Sequence, residues 1–173
     1  MENLRLESRY APERIADRVQ EVAALLDRDF AGNPPVLVSV LKGSSFLMAD
    51  LARRMTIPLT CEYIAVSRQE GSDTILQIDF ATAFPIANRP VVLLKDVVHS
   101  GVLENYLMTQ LAASGAPAIR LVSIIDKAPE RTTDCEVDHT LFNAEGGRFV
   151  GYGMEHGGRY AHLPYIAEIY GLT

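Results

Sequence analysis

The chain has 173 residues, 48% of them hydrophobic and 22% charged, the balance of a globular protein long enough for one domain with a sizeable core. A formal net charge of −6 and a pI near 5.2 argue against a nucleic-acid partner, whose footprint is a basic face. The longest apolar runs are strand-length, far short of the roughly 20 residues that span a bilayer, and Met1-Glu2-Asn3 opens no basic-then-apolar signal segment.

The expected compartment is therefore the cytoplasm, with no membrane partner. Cys61 and Cys135 are far apart and form no CxxC pair. Two free, buried thiols in a reducing cytosol are expected, with a single disulfide as the alternative.

The first ten residues read as an irregular or extended arm. Pro12 opens a helix whose apolar stripe is Ile15, Val19, Val22 and Leu26; Gly32 and Pro34-Pro35 end it. Val36–Leu41 is a nearly continuous apolar run, the pattern of a strand buried on both faces. Lys42-Gly43-Ser44-Ser45 follows, then Phe46, Leu47, Met48, Leu51 and Met55 read as a packed helix ending near Arg53-Arg54. Leu59–Val66 predicts a second strand. Ser67–Thr74 is polar, contains Gly71 and reads as a mobile loop.

Ile75–Phe80 predicts another strand and Asn88-Arg89-Pro90 a turn. Val91–Leu94 is again a buried run, which Lys95–Gly101 connects to a helix over Val102–Ala113, stopped at Gly115. Ile119–Ile125 is a further strand, followed by a loop over Asp126–Arg131. Glu136–Phe142, Arg148–Tyr152 and Tyr165–Ile169 are the last strand candidates. Strands alternating with helices predict an α/β protein with a mainly parallel twisted sheet flanked by helices, read as a single domain over 1–173. Its ligands belong at the carboxyl ends of the strands.

The chemistry concentrates there. The chain has 13 Arg but three Lys, and Lys42, Lys95 and Lys127 each fall at or just after a strand end. Three is few enough for coincidence; the sharper reading is that they line one mouth of a sheet. In Asp96-Val97-Val98-His99-Ser100-Gly101, an acidic residue precedes a short loop at a helix start. Such a loop offers free backbone N–H groups and the positive end of the helix dipole. Gly101 permits close backbone approach, Ser100 adds a hydroxyl, and Asp96 suits ribose hydroxyls or a metal ion. The combination suits a ribose-phosphate, although an ordinary capped turn looks the same. GxGxxG, GxxxxGK[ST], HExxH and paired-cysteine signatures are missing, which disfavours dinucleotide dehydrogenases, P-loop NTPases and common zinc sites. His139 reads as structural; His162 reads either way.

Four blocks together resemble the hypoxanthine-guanine phosphoribosyltransferase family. They are Val40–Leu51; Val91–Leu103; Ile125-Asp126-Lys127 with Pro129 and Arg131; and Phe149–Met154 continued by Arg159-Tyr160 and His162–Ile166. The resemblance implies the type I phosphoribosyltransferase fold with a small hood built from the chain termini. It implies transfer of phosphoribose from phosphoribosyl pyrophosphate (PRPP) to a 6-oxopurine, with Mg²⁺, giving IMP or GMP and pyrophosphate in purine salvage, and a homodimer or homotetramer. It assigns Lys42 and Gly43 to pyrophosphate, Asp96 to the ribose hydroxyls and metal, Ser100 and Gly101 to the 5′-phosphate, and Lys127 to the purine C6 oxygen. Ser67 and Arg68 begin the closing loop.

Several positions depart from that pattern. Lys95 stands where the family has a second acidic residue, which puts Mg²⁺ in doubt unless Lys95 serves a phosphate instead. His99 replaces the aspartate beside purine N7 and can exchange a proton near neutral pH. Leu103 replaces a phosphate-binding hydroxyl residue, and Arg68 a tyrosine. Glu155 replaces a metal-binding aspartate, and Ala161 an arginine, for which Arg159 is a candidate substitute. Either Arg148 or Phe149 takes the base-stacking position. An enzyme is expected; the alternative is a catalytically weak family member that binds PRPP or purine nucleotides in a regulatory role.

Overall fold

The computed structural model describes residues 4–68, 76–80 and 86–171. The expected arm is a strand, β1 (Arg5–Tyr10). Pro12 takes the first position of α1 (Pro12–Asp29), where its missing N–H costs no hydrogen bond. Ile15, Val19, Val22 and Leu26 form the buried stripe of α1, and Leu47, Met48 and Leu51 that of α2 (Ser45–Arg54).

The main sheet has the strand order β4-β3-β2-β5-β6-β7. Its members are β2 (Val36–Leu41), β3 (Thr60–Arg68), β4 (Leu76–Phe80), β5 (Val91–Val98), β6 (Ile119–Asp126) and β7 (His139–Asn143). Five run parallel; β4 folds back antiparallel on β3 at one edge. The period-2 alternation of the strands divides their side chains between two cores. Leu37, Val92, Leu94 and Val122 pack with α1 and α2. Val36, Val38, Val91, Leu93 and Leu121 pack with Leu107 and Leu111 of α3 (Val102–Ala113). Burial on both faces is why these strands read as continuous apolar runs.

The termini meet in a second, antiparallel sheet of order β1-β9-β8, formed with β8 (Phe149–Val150) and β9 (Ile166–Tyr170) around Val150, Ala167 and Ile169. This is the small hood.

Four details correct the sequence reading. β5 runs on to Val98, so Lys95 and Asp96 belong to the strand and not to a connecting loop. β7 starts at His139, three residues later than expected at Glu136. β8 is two residues long because Gly151, Tyr152 and Gly153 have φ of 92°, 49° and 94° and turn the chain out of the sheet. Both cysteines are free, as expected, but Cys61 is exposed. Cys61 pairs with Leu37 of β2 and precedes the Ile64–Arg68 stretch that β4 covers.

Candidate functional site

From β2 the chain moves outward to β3 on one side and later returns to β5 and β6 on the other. That reversal opens a crevice between the carboxyl ends of β2 and β5, the usual ligand site of an open α/β sheet. The three lysines come to the ends of the neighbouring strands β2, β5 and β6: Lys42 follows β2, Lys95 lies in β5 and Lys127 follows β6.

The turn after β2 is built from inside. The buried hydroxyl of Ser44 lies 2.8 Å from the Ser39 hydroxyl, 2.8 Å from the Val40 carbonyl and 3.0 Å from the Leu94 carbonyl. Ser45 donates to the Lys42 carbonyl at 2.7 Å, and the Leu41–Lys42 peptide is cis. Gly43 must be glycine here, because a Cβ would land on the Asp96 carboxylate. Asp96 accepts the Val97 N–H at 2.9 Å and forms an ion pair with Lys95.

Two adjoining clefts open above. The larger, about 380 Å³, is lined by Lys42, Gly43, Asp96, Val97, Phe149 and Glu155, among others. The smaller, about 220 Å³, adds Lys127, Arg148 and His156 to the shared Val97, Phe149 and Glu155. Lys127 is nearly buried; its ammonium donates to the Gly147 carbonyl at 2.5 Å, lies 3.4 Å from a Glu130 carboxylate oxygen and 5.9 Å from the Phe149 ring centroid. An ammonium has three donors, so one remains for a ligand carbonyl. Both base-stacking candidates therefore reach the smaller cleft, but Phe149 alone lines both and faces Lys127.

His99, Ser100 and Gly101 are not among the residues lining these two clefts; they form the head of α3. His99 is exposed and its Nδ1 accepts the Ser100 N–H at 2.6 Å, which leaves Nε2 as the free ring nitrogen. Gly101 caps α3 with φ of 80°, and a Cβ there would lie 2.5 Å from the Thr133 hydroxyl. Its glycine is thus required by packing beneath the loop, besides any ligand above it.

Leu103 is partly buried against the core under α3, which accounts for an apolar residue at that position. The Ala161 carbonyl accepts the Gly153 N–H at 3.0 Å, and Arg159 is exposed in a turn closed on His156. Ser67 and Arg68 still belong to β3, their backbones paired with Gln77 and Leu76; the rest of the expected mobile loop, 69–74, lies outside the described residues. His139 lies 3.4 Å from a carboxylate oxygen of Asp29, a structural contact. His156 was missed in sequence because a lone histidine in a Gly-rich tail carries no motif.

The family profile for phosphoribosyl transferase domains matches residues 8–156, most of the chain. The chain belongs to this phosphoribosyltransferase family. Among curated relatives, this phosphoribosyltransferase is 29% identical over 163 residues to the hypoxanthine-guanine phosphoribosyltransferase of Streptococcus mutans serotype c, covering 92% of this chain and 91% of that one. Among solved structures it resembles a hypoxanthine-guanine phosphoribosyltransferase from Bacillus anthracis, with a TM-score of 0.88 at 26% identity over 97% of this chain and 100% of the other. A Trypanosoma cruzi hypoxanthine phosphoribosyl transferase, studied for the role of its C-terminal region in oligomeric state and activity, also has a TM-score of 0.88, at 28% identity over 95% of this chain and 91% of the other. The likeness read from the four sequence blocks is borne out.

Proposed function

We propose that this phosphoribosyltransferase makes purine nucleoside monophosphates for salvage, transferring phosphoribose from PRPP to a 6-oxopurine such as hypoxanthine or guanine and releasing pyrophosphate. The observation that carries the reading is the pair of adjoining clefts. One is floored by Lys42, Gly43 and Asp96 and suits a ribose bearing a diphosphate. The other places Lys127 and Phe149 together and suits a flat base with a carbonyl.

In this reading Lys42 and the Gly43 backbone neutralise the departing pyrophosphate, a task of fixed charges aimed at developing charge. Asp96 accepts from the ribose hydroxyls. Ser100, Gly101 and the N-terminus of α3 take the 5′-phosphate. Phe149 stacks on the base with Arg148 at the rim, and Lys127 donates to O6. His99 exchanges a proton at N7 through Nε2, its other ring nitrogen being occupied.

Mg²⁺ is the family's metal. Among the described residues no group of three His, Cys, Asp or Glu side chains is placed to hold an ion. Mg²⁺ does not need one: enzymes commonly bind it through one or two carboxylates plus substrate phosphates. Asp96 is ion-paired with Lys95, and Glu155 is exposed on the wall of both clefts. Glu155, aided by Asp96, fits that mode, and the ion would add positive charge at the diphosphate. Lys95 supplies positive charge beside the same carboxylate.

We place the enzyme in the cytoplasm, where its polyanionic substrates are found; no helix among the described residues is long and apolar enough to cross a membrane. A homodimer or homotetramer is expected by likeness to the family, and sedimentation velocity would measure it. The deciding test offers purified protein PRPP and Mg²⁺ with hypoxanthine, guanine or xanthine separately and follows nucleotide by chromatography. Product with hypoxanthine or guanine is expected. Folded protein that binds IMP yet forms no product would overturn the enzyme and leave a nucleotide-binding relative.

A further inference from the structure

Arg131 has no part in the roles above, yet its surroundings are unusual. Its guanidinium pairs with Asp126 at the end of β6, and both side chains are 13% exposed. Its Nη1 is buried without a hydrogen-bond partner, the single such side-chain nitrogen or oxygen among the described residues. Native proteins rarely leave a buried donor unsatisfied, and each exception requires a physical account. The stem of Arg131 runs under the phosphate loop: its Cδ is 2.9 Å from where a Cβ on Gly101 would stand.

The flanking residues are tied to the same loop. The Ser100 carbonyl accepts the Thr132 N–H at 3.0 Å, the Thr133 hydroxyl at 3.1 Å and the Thr132 hydroxyl at 3.3 Å. On the other side the Lys127 N–H donates to the Val98 carbonyl at 2.9 Å. The segment from Asp126 to Thr133 thus carries the base-reading lysine at one end and grips Ser100 at the other.

We infer that Arg131 is a positioning residue for the 5′-phosphate: its stem, lying under Gly101 and anchored through the guanidinium by Asp126, holds the Ser100–Gly101 loop in its binding shape. This rests on the assignment of that loop to the phosphate. Arg131 does not line either cleft. Arginine is suited to the place because its guanidinium stays charged when buried and its planar shape fixes the direction in which it meets Asp126, which the lysine ammonium does not reproduce.

The test compares wild type, Arg131→Lys and Arg131→Gln by calorimetric binding of IMP and of inosine, which differ only in the phosphate. The ratio of the two dissociation constants isolates the phosphate contribution. Loss of one charge-assisted contact corresponds to about tenfold. Arg131→Gln is expected to shrink the ratio by about that factor and raise the KM for PRPP, with inosine binding little changed; Arg131→Lys should recover part of it. A merely structural role would weaken both ligands alike and leave the ratio unchanged, which overturns the inference. If Arg131→Gln does not fold, the ratio for Arg131→Lys decides, since charge without the planar guanidinium must still cost IMP more than inosine. Wild type that makes nucleotide while the variants keep their ratio sinks this inference alone. Wild type that neither makes nucleotide nor prefers IMP to inosine sinks the functional reading with it.

Discussion

At the scale of single residues, the site is defined by close approach as much as by charge. Gly43 allows the turn after β2 to lie on Asp96, and any side chain there displaces one against the other. Gly43→Ala is expected to lower kcat/KM by about 10²-fold, the cost of a misplacement on the scale of 1 Å. Steady-state kinetics measures this, with circular dichroism to show retained fold. Lys127 has a narrower task. Replacing it by Met keeps the stem and removes the cation, so kcat/KM for the base should fall by about tenfold to a hundredfold, the worth of a hydrogen bond to a charged group. The KM for PRPP should hardly move; equal losses for both substrates would refute the assignment to O6. These residues were legible beforehand because their types and order match a pattern. Leu103 was also noticed, but its reason was not: only packing showed that its partly buried side chain lies against the core.

At the scale of elements, the cleft is a joint between the main sheet and the hood. The turn after β8 comes against the turn after β2, and a Cβ on Gly153 would strike the Gly43 carbonyl. Tyr152 secures this joint. Its ring is buried with an edge toward Phe46, and its hydroxyl donates to Asp50 of α2 at 2.7 Å. Burial, then the hydrogen bond and charge of Asp50, push its phenol well up, so it remains a donor at any physiological pH. Tyr152→Phe should cost about 1 kcal/mol in urea unfolding with unchanged slope. A shift within error would show that the tie is not a stabilising contact. The sequence reading treated Arg148–Tyr152 as a plain strand, since a short aromatic and β-branched run looks like one. Three successive residues of positive φ, one of them a tyrosine, are held by side-chain contacts with Asp50 and Phe46 and by backbone hydrogen bonds to Met154, Leu163 and Ala161.

At the scale of the whole molecule, the two ends of the chain are joined in the hood. Arg9 of β1 donates to Glu168 of β9 at 2.8 and 2.6 Å and to the Tyr170 hydroxyl at 2.7 Å. Desolvation acts to raise the Glu168 pKa, but the hydrogen bonds from Tyr170 and Arg9 outweigh it and hold the carboxyl below its usual 4.5. A carboxyl lowered by folding contributes stability that is complete above its unfolded pKa and is lost as pH falls through its folded value. Between about pH 5 and pH 3, wild type should therefore lose stability faster than Glu168→Gln, which has no carboxyl to protonate there. Parallel urea midpoints across that range measure the difference, and superimposable profiles would refute the tie.

The sequence by itself determined the α/β class, the order of most strands, the helix stripes and the residue types around the cleft. All of these follow from local periodicity, from turn chemistry and from likeness to a family. Tertiary structure alone decided that Lys95 pairs with Asp96, that Phe149 faces Lys127, that His156 enters the smaller cleft and that Arg131 lies beneath Gly101. Each of the last three joins residues more than 20 positions apart, or concerns a lone side chain without a pattern. Lys95 and Asp96 are neighbours in sequence, yet an extended strand turns successive side chains to opposite faces. Their ion pair at the sheet's mouth thus depends on how the end of β5 is held by its neighbours.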